Sequence, residues 1–101
     1  MSGFREGLER GMAELNAGHF FEAHEIWEDV WAGEVGEERL LLQGLAQAAA
    51  GYHKAEIGVP AGARKLFAMA LRTLEELPGD AFGLDLETFR QNLRTALDRQ
   101  A

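Results

Sequence analysis

Cysteine is absent from the 101-residue chain, which excludes disulfides, thiolate metal sites and a cysteine nucleophile and leaves the redox compartment open. Long apolar runs are missing too. The longest, Leu40 to Ala50, is interrupted by Gln43 and Gln47 and is too short to span a bilayer, and Met1-Ser2-Gly3-Phe4-Arg5-Glu6 contains no apolar signal-peptide core. A cytoplasmic protein with no membrane partner is the expectation. Ser2, Thr73, Thr88 and Thr95 have no histidine within a local motif, and no nucleophile elbow, phosphate loop or glycine-rich dinucleotide turn occurs. Hydrolysis of the triad kind is disfavoured. Lysine and arginine are missing from residues 11–38, which hold eight acids: Glu14, Glu22, Glu25, Glu28, Asp29, Glu34, Glu37 and Glu38. The other nine acids and ten bases sum to +1, so the whole excess behind the net charge of −7 lies in that one segment. Such a field repels nucleic acid and anionic lipid. It suits a solvated face first, and a bound cation or basic partner second.

No segment alternates as a strand, and the apolar residues recur at helical spacing over one domain spanning 1–101. Ser2 is placed to cap a first helix whose stripe of Phe4, Leu8, Met12 and Leu15 ends at Asn16-Ala17-Gly18. A second helix runs from about Phe20 to Trp31 and stops at Gly33. Glu37 and Glu38 favour the start of the longest helix through its dipole; it carries Leu41, Leu45, Ala48 and Tyr52 on one side and closes at Gly58. Pro60 suits the first position of a fourth helix, with Ala63, Phe67, Ala70 and Leu74 inward and Pro78-Gly79 as its end. Asp85 caps a fifth, with Leu84 and Phe89 as the two halves of a hydrophobic staple.

The chain also matches itself weakly at an offset of forty residues: Gly11, Gly18, Ala23, Trp27 and Val30 align with Gly51, Gly58, Ala63, Phe67 and Ala70. Each set reads as a helical hairpin with a glycine turn and small residues at a close approach. The spacing is like that of tetratricopeptide hairpins, but two hairpins fall short of the three or so that a solenoid needs. The predicted fold is therefore all-α, a compact multihelical bundle of two helical hairpins plus a C-terminal helix.

Most of the chemistry is concentrated in His24-Glu25-Ile26-Trp27-Glu28-Asp29-Val30-Trp31. At about 100° per residue, His24, Trp27 and Trp31 share a stripe with Phe20, and Glu28 sits within reach of His24. His24 is thus expected on the buried face with a carboxylate partner. HExxE resembles half of a zincin signature that lacks its second histidine; His53 could supply a third ligand beside His24 and Glu28, with Glu25 as base. Glu25 and Glu28 could alternatively form an acid/base pair. Glu-x-x-His does not occur, so a ferritin-like di-metal site is excluded. Gln43 and Gln47, one turn apart on an apolar helix, are expected to bond to something, and a shared polar network with the His24 helix follows.

Taken together, His24-Glu25-x-x-Glu28-x-x-Trp31, preceded by Phe20-Phe21-Glu22-Ala23 and followed by Gln43-Gly44-Leu45-Ala46-Gln47-Ala48-Ala49 and Gly62-Ala63-x-x-Leu66, resembles the small prokaryotic domain of unknown function numbered three hundred and nine. The resemblance covers roughly residues 15–77 and departs in having Ala46 where a larger aliphatic residue is usual. It implies an all-helical fold and assembly into oligomers, and no established activity.

A binding or assembly module without cofactor or metal is the leading expectation, its binding residues being His24, Glu25, Glu28, Trp31, Gln43, Gln47 and His53. Two alternatives stand beside it: a metal-dependent hydrolase using His24, Glu28 and His53, and a tetratricopeptide-like adaptor for basic peptides. Self-association as a dimer is expected because Phe20, Phe21, Trp27 and Trp31 cannot all face one small core.

Overall fold

Glycine turns and one aspartate cap set the element boundaries. In the computed structural model, which describes residues 3–100, five α-helices follow one another: α1 Phe4–Asn16, α2 Phe20–Trp31, α3 Gly36–Glu56, α4 Pro60–Leu74 and α5 Leu86–Arg99. A single 3-10 turn, Ala81–Gly83, is the other helical element, and no strand occurs among the described residues. Two hairpins, α1–α2 and α3–α4, pack side by side through α2 and α3, and α5 closes over α4. This is the all-α bundle of two hairpins plus a C-terminal helix that the periodicity predicts.

The forty-residue repeat is real in three dimensions. The hairpin turns match bond for bond: His19 N–H donates to the Glu14 carbonyl at 2.9 Å as Val59 N–H does to Lys54 at 2.8 Å, and Gly18 and Gly58 both adopt positive φ, 83° and 79°. Left-handed backbone is costly for any residue with a Cβ, so glycine recurs at both turns. About two turns earlier, Gly11 lies against the Trp27 indole and Gly51 against the Phe67 ring. Ala23 and Ala63 are both fully buried. Each hairpin therefore seats one large aromatic of its second helix on a glycine of its first.

Pro78 ends α4 as expected, because it has no N–H to give the Leu74 carbonyl four residues before it. α4 ends at Leu74, ahead of Pro78-Gly79. Arg90, buried on α5, donates to the Leu74 carbonyl at 2.9 Å and the Leu77 carbonyl at 3.1 Å, at the end of that helix. Asp85 caps α5 as expected, accepting from Thr88 N–H at 3.0 Å, and that bond holds its carboxyl below the usual range. At the other end Gly3 is the N-cap of α1, and the Ser2 cap predicted for that helix falls outside the described residues. The core runs through Leu8, Trp27, Leu41, Leu45, Phe67, Leu74 and Leu93. α3 supplies eight buried residues, more than any other helix, which makes it the central element.

Candidate functional site

Because α2 and α4 flank α3 on either side, one strip of α3 is left facing outward between them. Here lies a pocket of about 270 Å³ with His24, Glu28 and Trp31 on the α2 wall and Gln43 and Gln47 along α3. Ala46 and Ala50 form a small-residue floor, and Leu66 supplies an apolar patch from α4. Five of the seven residues singled out in the sequence thus meet in one cleft. The other two do not. Glu25 lines a separate groove between α1 and α2 with Arg10, Glu14, Glu22 and Asp29. The distribution follows from helical rotation: Glu25 and Glu28 are about 300° apart around α2, so the shorter way round separates them by about 60°. His53 lies farther along α3, against the exposed Phe21 ring at 5.4 Å and 3.9 Å from Glu56.

These positions correct three expectations. The set of His24, Glu28 and His53 is not assembled, and among the described residues no group of three His, Asp or Glu side chains is placed to hold a metal ion. A Glu25 base has no access to the cleft. His24, expected to be buried, is half-buried, with 26% of its side chain exposed, and its Nε2 lies 3.5 Å from Oε2 of a Glu28 that is 60% exposed. Exposure of this order makes it a surface pair, contributing about 0–1 kcal/mol.

The polar network expected between the glutamines and the His24 helix does not form among the described residues; Gln47 instead pairs with α4, through a partner that the spacing does not reveal. Gln47 Oε1 lies 2.9 Å from the Thr73 hydroxyl on α4, which also lies 3.0 Å from the Met69 carbonyl. One hydroxyl proton cannot serve both acceptors. The arrangement is satisfied if Thr73 donates to Met69 and the Gln47 amide donates to Thr73, since the amide oxygen and nitrogen are interchangeable on rotation. Gln43 is exposed on the strip. Trp31 contributes a buried indole N–H with no hydrogen-bond partner, and the Arg39 guanidinium covers its ring at 3.9 Å. Arg39 is a site residue that the motif reading misses; being the first base after the acidic segment is the signal that marks it. Thr73 has no such local signal.

A family model described as "Domain of unknown function (DUF309)" matches residues 8–66, which include the whole cleft wall of α2 and the exposed strip of α3. The crystal structure of a conserved hypothetical protein from Thermus thermophilus is similar at 35% identity and a TM-score of 0.79, covering 90% of this chain and 95% of that one. An uncharacterized protein of Aquifex aeolicus (strain VF5) is 31% identical over 93 residues. Those residues are 91% of this chain and 28% of the relative, so the chain spans little more than a quarter of that relative's length.

Proposed function

The chain belongs to the family described as Domain of unknown function (DUF309), and on that premise we propose that it is a helical binding and assembly module whose α2–α3–α4 cleft docks a basic helical segment. The observation that carries this reading is the convergence of His24, Glu28, Trp31, Gln43 and Gln47 on one open strip with an alanine floor. Small residues let a partner helix come close, the Trp31 ring and Leu66 offer apolar contact, and the Glu28 carboxylate favours lysine or arginine. Similarity to roughly a quarter of a longer Aquifex chain is in keeping with a module that works beside other protein surfaces. A catalytic reading has less support. Its carboxylates, Glu25 and Glu28, open into different grooves, and its three ligands do not meet.

A panel of amphipathic helical peptides carrying one to three lysines or arginines tests the reading by tryptophan fluorescence. Trp27 is fully buried, so a change in emission reports Trp31. Saturable binding that weakens about tenfold in Glu28→Gln, the factor that about 1.4 kcal/mol of lost ion pairing gives, is expected, with no effect of Glu9→Gln on the exposed side of α1. Absence of any saturable signal at hundreds of micromolar peptide would overturn it.

A further inference from the structure

α1 packs on α2 and α5 on α4, and these two outer helices scarcely touch each other. Between them runs a trough of two adjoining hollows, each of about 280 Å³, that share Met12, Phe89 and Asn92. Together they reach the size of a small-molecule site. Tyr52 of α3 and Phe20 of α2 line the inner hollow. At about 100° per residue, Tyr52 stands half a turn round α3 from Gln43, and the trough has no residue in common with the cleft. The start of α1 is tied instead to the 3-10 turn that leads into α5, with the Phe4 and Phe82 rings 5.1 Å apart and Arg5 donating to the Phe82 carbonyl at 3.1 Å.

No charged side chain lines the inner hollow. Phe20, Tyr52 and Phe89 give it aromatic rings and Met12 a thioether, surfaces that favour a flat ring. Its polar groups are the Tyr52 hydroxyl and the side-chain amides of Asn16 and Asn92, and none of the three hydrogen-bonds to another described residue. They therefore offer a carbonyl its donors and an N–H its acceptor. In the outer hollow the cap is already engaged, Asp85 accepting from the Thr88 N–H at 3.0 Å and from its hydroxyl at 2.8 Å, which leaves Leu84 and Leu86 as an apolar path. We infer that the trough binds an uncharged aromatic amide carrying an alkyl chain, its amide among Tyr52, Asn16 and Asn92 and its chain along Leu84 and Leu86. Burial holds the Tyr52 hydroxyl above its ordinary 10.0, so it stays protonated and able to donate. The net charge of −7 disfavours an anion in the same place.

N-butylbenzamide, titrated into labelled protein and followed by nuclear magnetic resonance, tests the site. The ring signals of Tyr52, the chain's single tyrosine, and the side-chain amide signals of Asn16 and Asn92 are expected to shift together and saturate at about 1 mM, the affinity that a ligand of this size reaches. The charged analogue 4-butylbenzoate is expected to bind at least about tenfold more weakly, since the hollow offers no cation to its carboxylate. Tyr52→Phe keeps the ring and loses the hydroxyl, and Asn92→Ala removes an exposed side chain; each is expected to weaken N-butylbenzamide by about two- to tenfold, the range that one hydrogen bond gives. Gln43→Ala in the cleft is expected to leave the affinity unchanged. Circular dichroism of each variant checks that it folds. Three results overturn the inference: no saturable shift by several millimolar, equal binding of the amide and the carboxylate, or full affinity in both Tyr52→Phe and Asn92→Ala. Shifts confined to Gln43, Gln47 and Trp31 overturn it too, because they assign the compound to the cleft.

Discussion

Tyr52 shows how one side chain reports its surroundings. It stacks on Phe20 at 5.2 Å and meets Phe67 edge-on at 5.0 Å, and burial pushes its hydroxyl above the ordinary 10.0. It is the chain's single tyrosine, so an absorbance titration reads it alone, with an expected midpoint above 10.0; a midpoint at 10.0 would place the ring in open water. The unfolded chain ionises first as pH rises. The contribution of this group is therefore intact below about pH 10 and is lost as pH climbs through the folded value. Arg90 and His24 make a second contrast. Arg90→Met leaves the Leu77 carbonyl without its donor and the Leu74 carbonyl with the Leu77 N–H alone, in a buried place, and is expected to cost about 1–3 kcal/mol. His24→Ala removes a half-exposed surface pair and is expected to cost about 1 kcal/mol or less. Urea melts of the two variants decide the order. The angle of His24 around α2 matches those of Trp27 and Trp31 and so predicts a buried side chain. Angle gives direction but not depth, and the wall of α3 opposite His24 is two alanines and two glutamines, too short to cover it.

The duplicated hairpin makes the glycines of each half comparable at the level of the element. Gly18 and Gly58 have open space where a Cβ would stand, so alanine there costs backbone strain alone, about 1–2 kcal/mol at either site. Gly11 and Gly51 have ordinary helical backbone and no space. A Cβ at Gly51 would stand 2.7 Å from the Phe67 ring, and one at Gly11 would fall within the Trp27 indole, whose N–H donates to the Leu8 carbonyl at 3.4 Å. Alanine at these two is expected to cost about 1–3 kcal/mol from overpacking, offset in part by about 1 kcal/mol of helix propensity. Gly11→Ala is the worse of the pair. Thermal melts of the four variants test both pairings, and a gain in stability at Gly11 or Gly51, as helix propensity alone would give, would mean that the aromatics are not seated on the glycines. These elements are legible because their signals are local: a glycine beyond each hairpin helix, Pro60 at an N-terminus, Asp85 three residues before Thr88. The side-chain donor to the Leu74 carbonyl is not, since Arg90 brings it from sixteen residues away.

Across the whole molecule, α3 is the axis on which both hairpins are built, and no helix is long and apolar enough to cross a membrane among the described residues. Eight of its residues are buried, against three in α1 and three in α5. Amide hydrogen exchange is therefore expected to be slowest through the middle of α3, around Leu41 to Ala49, and fastest at the start of α1 and the end of α5. Slowest exchange in α5 would show that the closing helix, rather than the hairpin pair, holds the most stable part of the core. Sequence by itself determined the helix count and the hairpin pairing, because each follows from periodicity and turn chemistry within about forty residues. It also placed Trp31, Gln43 and Gln47 among the candidate residues by their chemical type. Tertiary structure alone decided which of these share a space: the rotation of α2 against α3 brought Glu28 into the cleft and turned Glu25 away, set Thr73 beside Gln47, and kept His53 apart from His24. Distances between helices depend on the packing of every residue between them, and no local pattern encodes that sum.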